Sequence, residues 1–467
     1  MRTTAGFSQR IFAPNKAARI RRVDVWLLGV FALFAALWAA YAYFALWRYD
    51  IFRATLDVGA FVQVAHSFAS GFSSTNEDGA NHFLQHFSPI LAVTVPFVYV
   101  FHGALGLIVL ETFATAATVF PIWGLAVRRF PKPFAFALTA VAAIYPPLTA
   151  RGVGDFYEVA FIPFFAATLV WAMERRAWRI AILVTLGMLC SKEDQFVSVA
   201  FIGALVAVNA RADRDLRRFG VIVAAMAVGA AGLYFGVIRP LLNPHAPWLA
   251  VHYFQWWRFE STPNGFVSWN SPERLEYLAG ALAPLAFLPC FSRYLLFAIP
   301  GFAEVLLSHE RITMTMNMHY PAVWIGYVLA GFVDGASTVY RTSRIGARFA
   351  LAAAIVLSIA TYIWNDPLDR GFFFYRRPVT QDFIEDRLLR SLPENASIWG
   401  DFWLYSHLAM HPKASFNMSG QEYVVLDRTA DAALIADNDE IRLLERVGYR
   451  VAAESGPLLI LRRNGRR

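Results

Sequence analysis

Apolar segments of helix length, separated by short polar segments, make up most of the first 365 residues. The first, 25–47, is long enough to cross a bilayer core of ~30 Å at ~1.5 Å per residue. Several of the others are short, which favours helices that enclose a cavity over a ring of lipid-facing helices. Further crossings are predicted at 88–103, 104–127, 133–149, 157–173, 178–191, 195–210, 219–238, 277–290, 293–308, 319–335 and 346–364.

Lys and Arg gather in alternate loops, and this sets the predicted orientation. The basic tail 1–24 is expected in the cytoplasm, with long external loops at 48–87 and 240–276. The second loop is rich in aromatic residues, which usually lie at the level of the lipid headgroups. Because 88–127 looks like two crossings where an odd number is needed, His102–Gly106 is predicted to mark a re-entrant or half-spanning helix. The membrane part, 25–365, is therefore predicted to be an all-α polytopic bundle of about 11 or 12 transmembrane helices.

The composition of the chain changes at residue 366, and residues 366–467 carry 14 basic and 15 acidic residues. Such a charge density is typical of a soluble domain. Helical and strand patterns alternate there, with helices at 381–391 and 439–447 and strands at 396–400, 423–426 and 458–461. Residues 366–467 are therefore predicted to form a small α/β domain, which is extracytoplasmic because the last crossing runs outward.

Composition narrows the class of protein. The chain is 57% hydrophobic and only 16% charged, with a formal net charge of +8, whereas soluble domains carry about 25% charged residues. This excludes a single soluble domain, a disordered chain and a nucleic-acid-binding protein. Cys190 and Cys290 both lie in apolar runs, so neither a disulfide framework nor a cysteine-built metal site is expected.

The first external loop carries the strongest local signal for chemistry. Asp57 follows the first crossing closely, in LDVGAFVQ. His82 and His86 are four residues apart, so on a helix their imidazoles would share one face, within reach of a metal, a phosphate or a carboxylate. A structural role is the alternative, with Asp57 as a helix N-cap and the histidines as an interfacial pair.

The other predicted external segments add acidic, basic and aromatic side chains. In RGVGDFYEVAF, the two carboxylates precede a predicted helix, where capping is the alternative to chemistry. The SKEDQ turn places three charges between two short apolar helices, where burial is unfavourable unless they are paired or hydrated. For an arginine, contact with a lipid headgroup is the alternative. The candidates from these segments are Arg151, Asp155, Glu158, Lys192, Glu193, Asp194, Arg311, His319 and Tyr320.

Motifs for soluble-enzyme chemistry are absent from the sequence. It contains no Walker loop, no GxGxxG, no GxSxG elbow and no HExxH. Cytosolic nucleotide chemistry is therefore not expected. Most of the candidate titratable residues are instead predicted to lie on one side of a membrane, next to apolar helices that could hold a lipid tail.

A resemblance to a known family extends along nearly the whole chain. The sequence resembles an uncharacterised family of predicted bacterial membrane proteins, domain of unknown function 2079, in six ordered blocks: LDVGAFVQ, NHFLQHFSPILAVTVPF, DFYEVAFIPFF, SKEDQFVSVAF, MHYPAVWIGY and LPENASIWG. In layout it is similar to the GT-C superfamily of integral-membrane glycosyltransferases, which includes the protein O-mannosyltransferases and the aminoarabinose transferase acting on lipid A. This implies a multi-pass protein of the bacterial inner membrane that takes a sugar from a polyprenyl-phosphate carrier.

The resemblance also implies roles for individual residues. Asp57 matches the first-loop carboxylate of that superfamily and would act as a base or, with a divalent cation such as Mg²⁺ or Mn²⁺, as an activator. Asp155 matches a second external carboxylate, and His86 would assist by hydrogen bonding. The implied phosphate-binding residues are Lys192, Arg151 and Arg311. No metal site is assigned from the sequence, although Asp57, His82 and His86 are the residues that could hold a cation. The remaining cavity candidates are Glu158, Glu193, Asp194, His319 and Tyr320.

Three functional hypotheses follow. The first is a glycosyltransferase that moves a sugar from a polyprenyl-phosphate donor in the membrane to an extracytoplasmic glycan, lipid or protein. The second is a transporter or flippase of a lipid-linked or small substrate, because buried charges and short helices also suit that class. The third is a non-catalytic envelope assembly factor whose C-terminal domain binds partners.

Overall fold

A computed structural model describes residues 24–245, 265–428 and 438–464. The predicted basic tail, except for its last residue, and the aromatic part of the second external loop lie outside these ranges. The described chain consists of a helical bundle followed by a small domain built on a β-sheet. The predicted fold class is therefore confirmed.

Sixteen helices form the described part of the bundle and its connections. In chain order they are α1 (Val25–Asp50), α2 (Leu56–His66), α3 (Val95–Val100), α4 (Ala104–Ala117), α5 (Val119–Ala126), α6 (Lys132–Ala143), α7 (Pro146–Val153), α8 (Ile162–Arg175), α9 (Trp178–Leu189), α10 (Asp194–Asn209), α11 (Arg214–Leu233), α12 (Arg239–Leu242), α13 (Glu273–Leu282), α14 (Ile299–Leu306), α15 (Ala322–Thr342) and α16 (Arg344–Trp364).

Length and apolarity single out five membrane-spanning helices in the described residues, or six if the bent pair α6–α7 is one span. They are α1, the joined α4–α5, the α11–α12 unit, α15 and α16. The helix α15 and the α4–α5 unit are mostly buried inside the protein, whereas α1, α11 and α16 expose most of their apolar surface. The predicted count of 11 or 12 crossings thus relies on shorter or broken helices such as α9 and α10.

Helix starts follow their capping residues. The Asp24 carboxylate accepts a hydrogen bond from the Trp26 amide at 3.2 Å and begins α1. Asp213 caps α11 in the same way, 3.1 Å from the Leu216 amide. These side chains satisfy backbone donors that have no partner within the helix.

Glycine allows α10 and α11 to pack backbone against backbone. A Cβ at Gly203 would lie 2.5 Å from the Ala224 nitrogen, and one at Gly220 would lie 2.6 Å from the Ala207 nitrogen. Small residues permit this close approach between membrane helices, where dispersion and not water exclusion drives association.

The chain reverses its direction near His102–Gly106, where a half-spanning or re-entrant helix is predicted. The α3 helix has six residues, about 9 Å of rise, too short to cross the bilayer core. His102 (φ 56°) and Gly103 (φ 92°) then reverse the chain into α4. Gly106 lies directly on the α3 backbone, since a Cβ there would be 2.3 Å from the Phe97 carbonyl oxygen.

The C-terminal domain follows the short helix α17 (Arg370–Phe373) and contains α18 (Thr380–Arg390), α19 (Tyr405–Leu408) and α20 (Asn438–Arg446). Its five strands are β1 (Ile398–Gly400), β2 (Ala414–Ser415), β3 (Tyr423–Asp427), β4 (Tyr449–Ser455) and β5 (Leu458–Arg463), in the order β2-β1-β3-β5-β4. The β1 strand is parallel to both β2 and β3, and β5 is antiparallel to β3 and β4. The domain packs on the end of α1, because Phe52 belongs to its hydrophobic cluster.

Candidate active site

A cavity of about 350 Å³ lies where α2, the loop after it, the start of the α8 segment and the turn before α10 meet. A backbone hydrogen bond of 2.9 Å from the Ile90 amide to the Cys190 carbonyl ties the first loop to that turn. The cavity is lined by Asp57, Ala60, Phe61, Val64, Asn76, Glu77, His82, Gln85, His86, Tyr157, Glu158, Lys192, His319 and Tyr320. Seven of the twelve residues selected from the sequence are in this set.

Asp57 is fixed by a tyrosine that the sequence reasoning did not select. It is the second residue of α2, after the N-cap Thr55, so it is not the predicted N-cap. Its Oδ2 accepts a 2.6 Å hydrogen bond from the Tyr157 hydroxyl. The Tyr157 ring in turn stacks on His319, with ring centroids 3.9 Å apart. Burial raises the pKa of Asp57, with the nearby carboxylates of Asp155 and Glu158 adding to the increase and the Tyr157 hydrogen bond opposing it.

Lys192 brings a buried positive charge to the same cavity. Its side chain is only 6% exposed, and its Nζ lies 3.3 Å from Glu158 Oε1. Burial alone would lower the pKa of Lys192, but the surrounding carboxylates of Glu158, Asp194 and Glu193 raise it overall. The ammonium is therefore held in its charged form.

The two histidines of the first loop each contact a carboxylate. His82 Nδ1 lies 2.7 Å from Glu77 Oε1, and His86 Nδ1 lies 2.9 Å from Glu193 Oε1. The other oxygen of Glu193 accepts the Phe87 amide at 2.8 Å, which holds the loop in place. Burial and Lys192 tend to lower the pKa of His86, but Glu193 outweighs them and raises it.

The described residues do not fit the divalent cation considered from the sequence. No group of three or more His, Cys, Asp or Glu side chains that could hold a metal ion occurs in the part of the chain that the structure describes. Asp57, His82 and His86 are instead engaged by Tyr157, Glu77 and Glu193. No chemical step is therefore assigned to a metal here.

Several buried polar atoms of the cavity residues have no hydrogen-bond partner within the described protein. They are Glu77 Oε2, His82 Nε2, Glu158 Oε2 and His319 Nδ1. Buried polar atoms are nearly always paired with protein, water or ligand. Four such atoms around one cavity offer hydrogen-bonding positions to water or to a polar ligand.

Arg151 and Asp155 form a neighbouring ion-pair network and do not line the cavity. Arg151 is fully buried and pairs with Glu111 of α4, while its Nη2 also donates to the Asp155 carbonyl at 2.7 Å. The Asp155 carboxylate lies 3.1 Å from Arg48 Nη2. This network joins the end of α1 to the segment that carries Tyr157.

The remaining sequence candidates lie elsewhere. Arg311 is 2.9 Å from Glu273 and faces a second cavity of about 700 Å³. Asp194 begins α10, and its Oδ1 accepts a hydrogen bond from the Gln195 side-chain Nε2 at 2.9 Å. The structure therefore does not bring Arg311 together with Lys192.

The fold defines a multi-pass membrane protein. The chain belongs to the family described as predicted membrane protein (DUF2079), whose profile matches residues 48–452. This confirms the family resemblance seen in the sequence.

Two solved structures of ArnT, a GT-C glycosyltransferase from Cupriavidus metallidurans, are similar in fold. The structure bound to undecaprenyl phosphate gives a TM-score of 0.58 at 14% identity, covering 94% of this chain and 98% of ArnT. The apo structure gives 0.55 at 13% identity, covering 93% and 98%. No curated protein matches the sequence.

Proposed function

We propose that this protein is an integral-membrane glycosyltransferase that moves a sugar from a polyprenyl-phosphate donor to an extracytoplasmic acceptor. The observation that carries the proposal is the shared cavity of Asp57 and Lys192. A carboxylate of raised pKa and a buried ammonium are the two groups that displacement of a sugar from a phosphate requires. The ArnT-like fold supports the choice of donor, because one ArnT structure contains undecaprenyl phosphate.

Lys192 is the proposed partner of the donor phosphate. An ammonium has three N–H donors, and the pair with Glu158 engages one side of it. His86 is placed to assist by hydrogen bonding, since it lines the same cavity. Arg151 is committed to Glu111, and Arg311 faces the second cavity, so this proposal gives them no direct contact with the phosphate.

Asp57 is the proposed general base. It takes the proton from an acceptor hydroxyl while that oxygen forms a bond to the anomeric carbon. The bond from the anomeric carbon to the phosphate oxygen breaks, and its electron pair leaves with the phosphate. A raised pKa makes the carboxylate a stronger base, and Lys192 stabilises the charge that develops on the leaving phosphate.

The same assignment implies an orientation. Asp57, Lys192 and the C-terminal domain are proposed to face the extracytoplasmic side, with the N-terminus in the cytoplasm. The excess of Lys and Arg in the opposite loops supports this arrangement.

The test is transfer of label from a panel of polyprenyl-phosphate sugars by purified protein in lipid. Asp57→Asn is expected to lower turnover by about 10²- to 10⁴-fold, the usual contribution of a general base. Asp78→Asn is the matched control, because Asp78 is an exposed carboxylate of the same loop. Failure of folded wild-type protein to turn over or bind any donor would overturn the proposal and favour a transporter.

A further inference from the structure

The helix that carries Asp57 lies directly against the C-terminal domain. A Cβ at Gly59 of α2 would lie 2.5 Å from Tyr405 Cδ1 and 3.1 Å from the Tyr405 carbonyl oxygen. Only glycine fits at this position, because real Cβ atoms do not approach other heavy atoms so closely. Gly59 is two residues from Asp57, so the contact lies next to the proposed base.

One turn further along α2, Gln63 bonds to the C-terminal domain through both the nitrogen and the oxygen of its side-chain amide. Its Nε2 donates to the Ala414 carbonyl at 2.8 Å, and its Oε1 accepts from the Tyr405 hydroxyl at 2.7 Å. Oε1 also accepts from the Thr75 amide at 2.9 Å, which attaches the loop after α2. Gln63 is 4% exposed, so losing any of these buried bonds is expected to be unfavourable.

The entry into α2 is held from the same side. His407 stacks on Tyr49 with ring centroids 3.9 Å apart and lies 4.3 Å from the Phe52 ring. Its two ring nitrogens lie 2.7 Å from Asp386 Oδ1 and 3.1 Å from the Tyr49 carbonyl oxygen. The chain is thus fixed just before α2 begins as well as along the helix.

We propose that the C-terminal domain positions the proposed catalytic carboxylate. Its residues Tyr405, His407 and Ala414, named here the C-terminal clasp, hold one side of the first loop while Tyr157 of the bundle holds Asp57 from the other side. Tyr405 and Gln63 are positioning residues, since they act on α2 and not on the substrate. The expected effect on turnover rests on the proposed transferase function, whereas the expected effect on the position and stability of α2 does not.

The geometry sets the size of the effect. Removing the clash of a Gly59→Ala methyl group requires α2 and Tyr405 to separate by about 1 Å, and a misplacement of about 1 Å can lower a rate by roughly 10²-fold. The expected result is a turnover lowered by about that factor with unchanged affinity for undecaprenyl phosphate, because Lys192 is not on α2. Gly229→Ala is the control, since a Cβ at this helical glycine meets nothing within 4 Å.

Two further variants keep the test decisive if Gly59→Ala folds poorly. Tyr405→Phe removes only the hydroxyl that bonds to Gln63 and is expected to lower turnover in the same direction. The pair Gly59→Ala with Tyr405→Ala is expected to lose less turnover than the sum of the two single losses, because the clashing ring atoms are gone and only the 3.1 Å contact with the Tyr405 carbonyl oxygen remains. Additive losses in this double variant would overturn the proposal.

Hydrogen–deuterium exchange of the full-length protein in lipid separates this inference from the proposed function. Amides of α2 are expected to exchange faster in Tyr405→Phe than in wild type, whether or not a sugar donor is turned over. Unchanged exchange in α2 would overturn the clasp even if transfer is observed. Faster exchange together with an inactive wild type would support the clasp and refute only the transferase.

Discussion

The hydrogen bond from Tyr157 to Asp57 allows a quantitative test of the base. Tyr157→Phe removes the hydroxyl that donates to Asp57 Oδ2 at 2.6 Å. The phenyl ring can still stack on His319, whose ring centroid lies 3.9 Å away. The perturbation is therefore confined to one donor and should leave the fold intact.

The magnitude follows from the charge of the acceptor. A hydrogen bond to a charged group contributes about 1.5–3 kcal/mol, and ~1.4 kcal/mol corresponds to one pKa unit. Because this bond favours the ionised carboxylate and so opposes the effect of burial, its loss should raise the pKa of Asp57 further. A base works only when ionised, so activity should then be lost at higher pH as the solution is acidified.

The assay is the pH dependence of kcat/KM for sugar transfer. The acidic limb of the profile should move upward by ~1–2 pH units in Tyr157→Phe. Tyr145→Phe is the control, because the Tyr145 hydroxyl donates at a similar 2.6 Å but to the backbone carbonyl of Ala281. An acidic limb that stays in place in folded Tyr157→Phe would refute the assignment of Asp57 as the titrating base.

Two further predictions concern the other parts of the site and the bundle. Lys192→Met should destabilise the protein by about 3–5 kcal/mol, because it leaves buried Glu158 unpaired. Adding Glu158→Gln should restore thermal stability but not undecaprenyl-phosphate binding. Binding as tight as that of the wild type in this double variant would contradict the role of Lys192. Gly220→Ala should lower the free energy of unfolding by about 1–3 kcal/mol, because it forces α10 and α11 apart. Gly232→Ala should not, since a Cβ there would meet nothing within 4 Å. Equal thermal midpoints for the two variants would contradict this packing argument.

Elements with a continuous local pattern were predictable from the sequence. The helix predicted at 381–391 is α18, Thr380–Arg390, and the strand predicted at 423–426 is β3, Tyr423–Asp427. The strand β4, Tyr449–Ser455, was missed because it lies at the sheet edge with most of its residues exposed, so no buried face alternates along it. The strand β2 has only two residues, too few to give any period.

The charged residues of the candidate site could be predicted from the sequence, but their ion-pair and hydrogen-bond partners could not. Asp57 and Lys192 were identifiable because burying a charge next to an apolar segment is unfavourable unless the charge is paired, hydrated or functional. The sequence does not show that Arg151 pairs with Glu111, since that contact depends on how α4 packs against α7. Tyr157 was overlooked because a tyrosine at the end of an apolar segment is ordinary at a membrane interface.

The carboxylate excess of the cavity has a consequence for product release. Asp57, Glu77 and Glu158 line it together with a single Lys or Arg, Lys192. In the proposed reaction a phosphodiester with one negative charge becomes a phosphate monoester, which carries about −1.5 to −2 at neutral pH. Once Asp57 returns its proton to water, the cavity has the same charge that the donor met on entry, but the spent carrier that faces it has more negative charge than the donor had. Electrostatic repulsion would then expel the lipid phosphate and leave the site ready for the next donor.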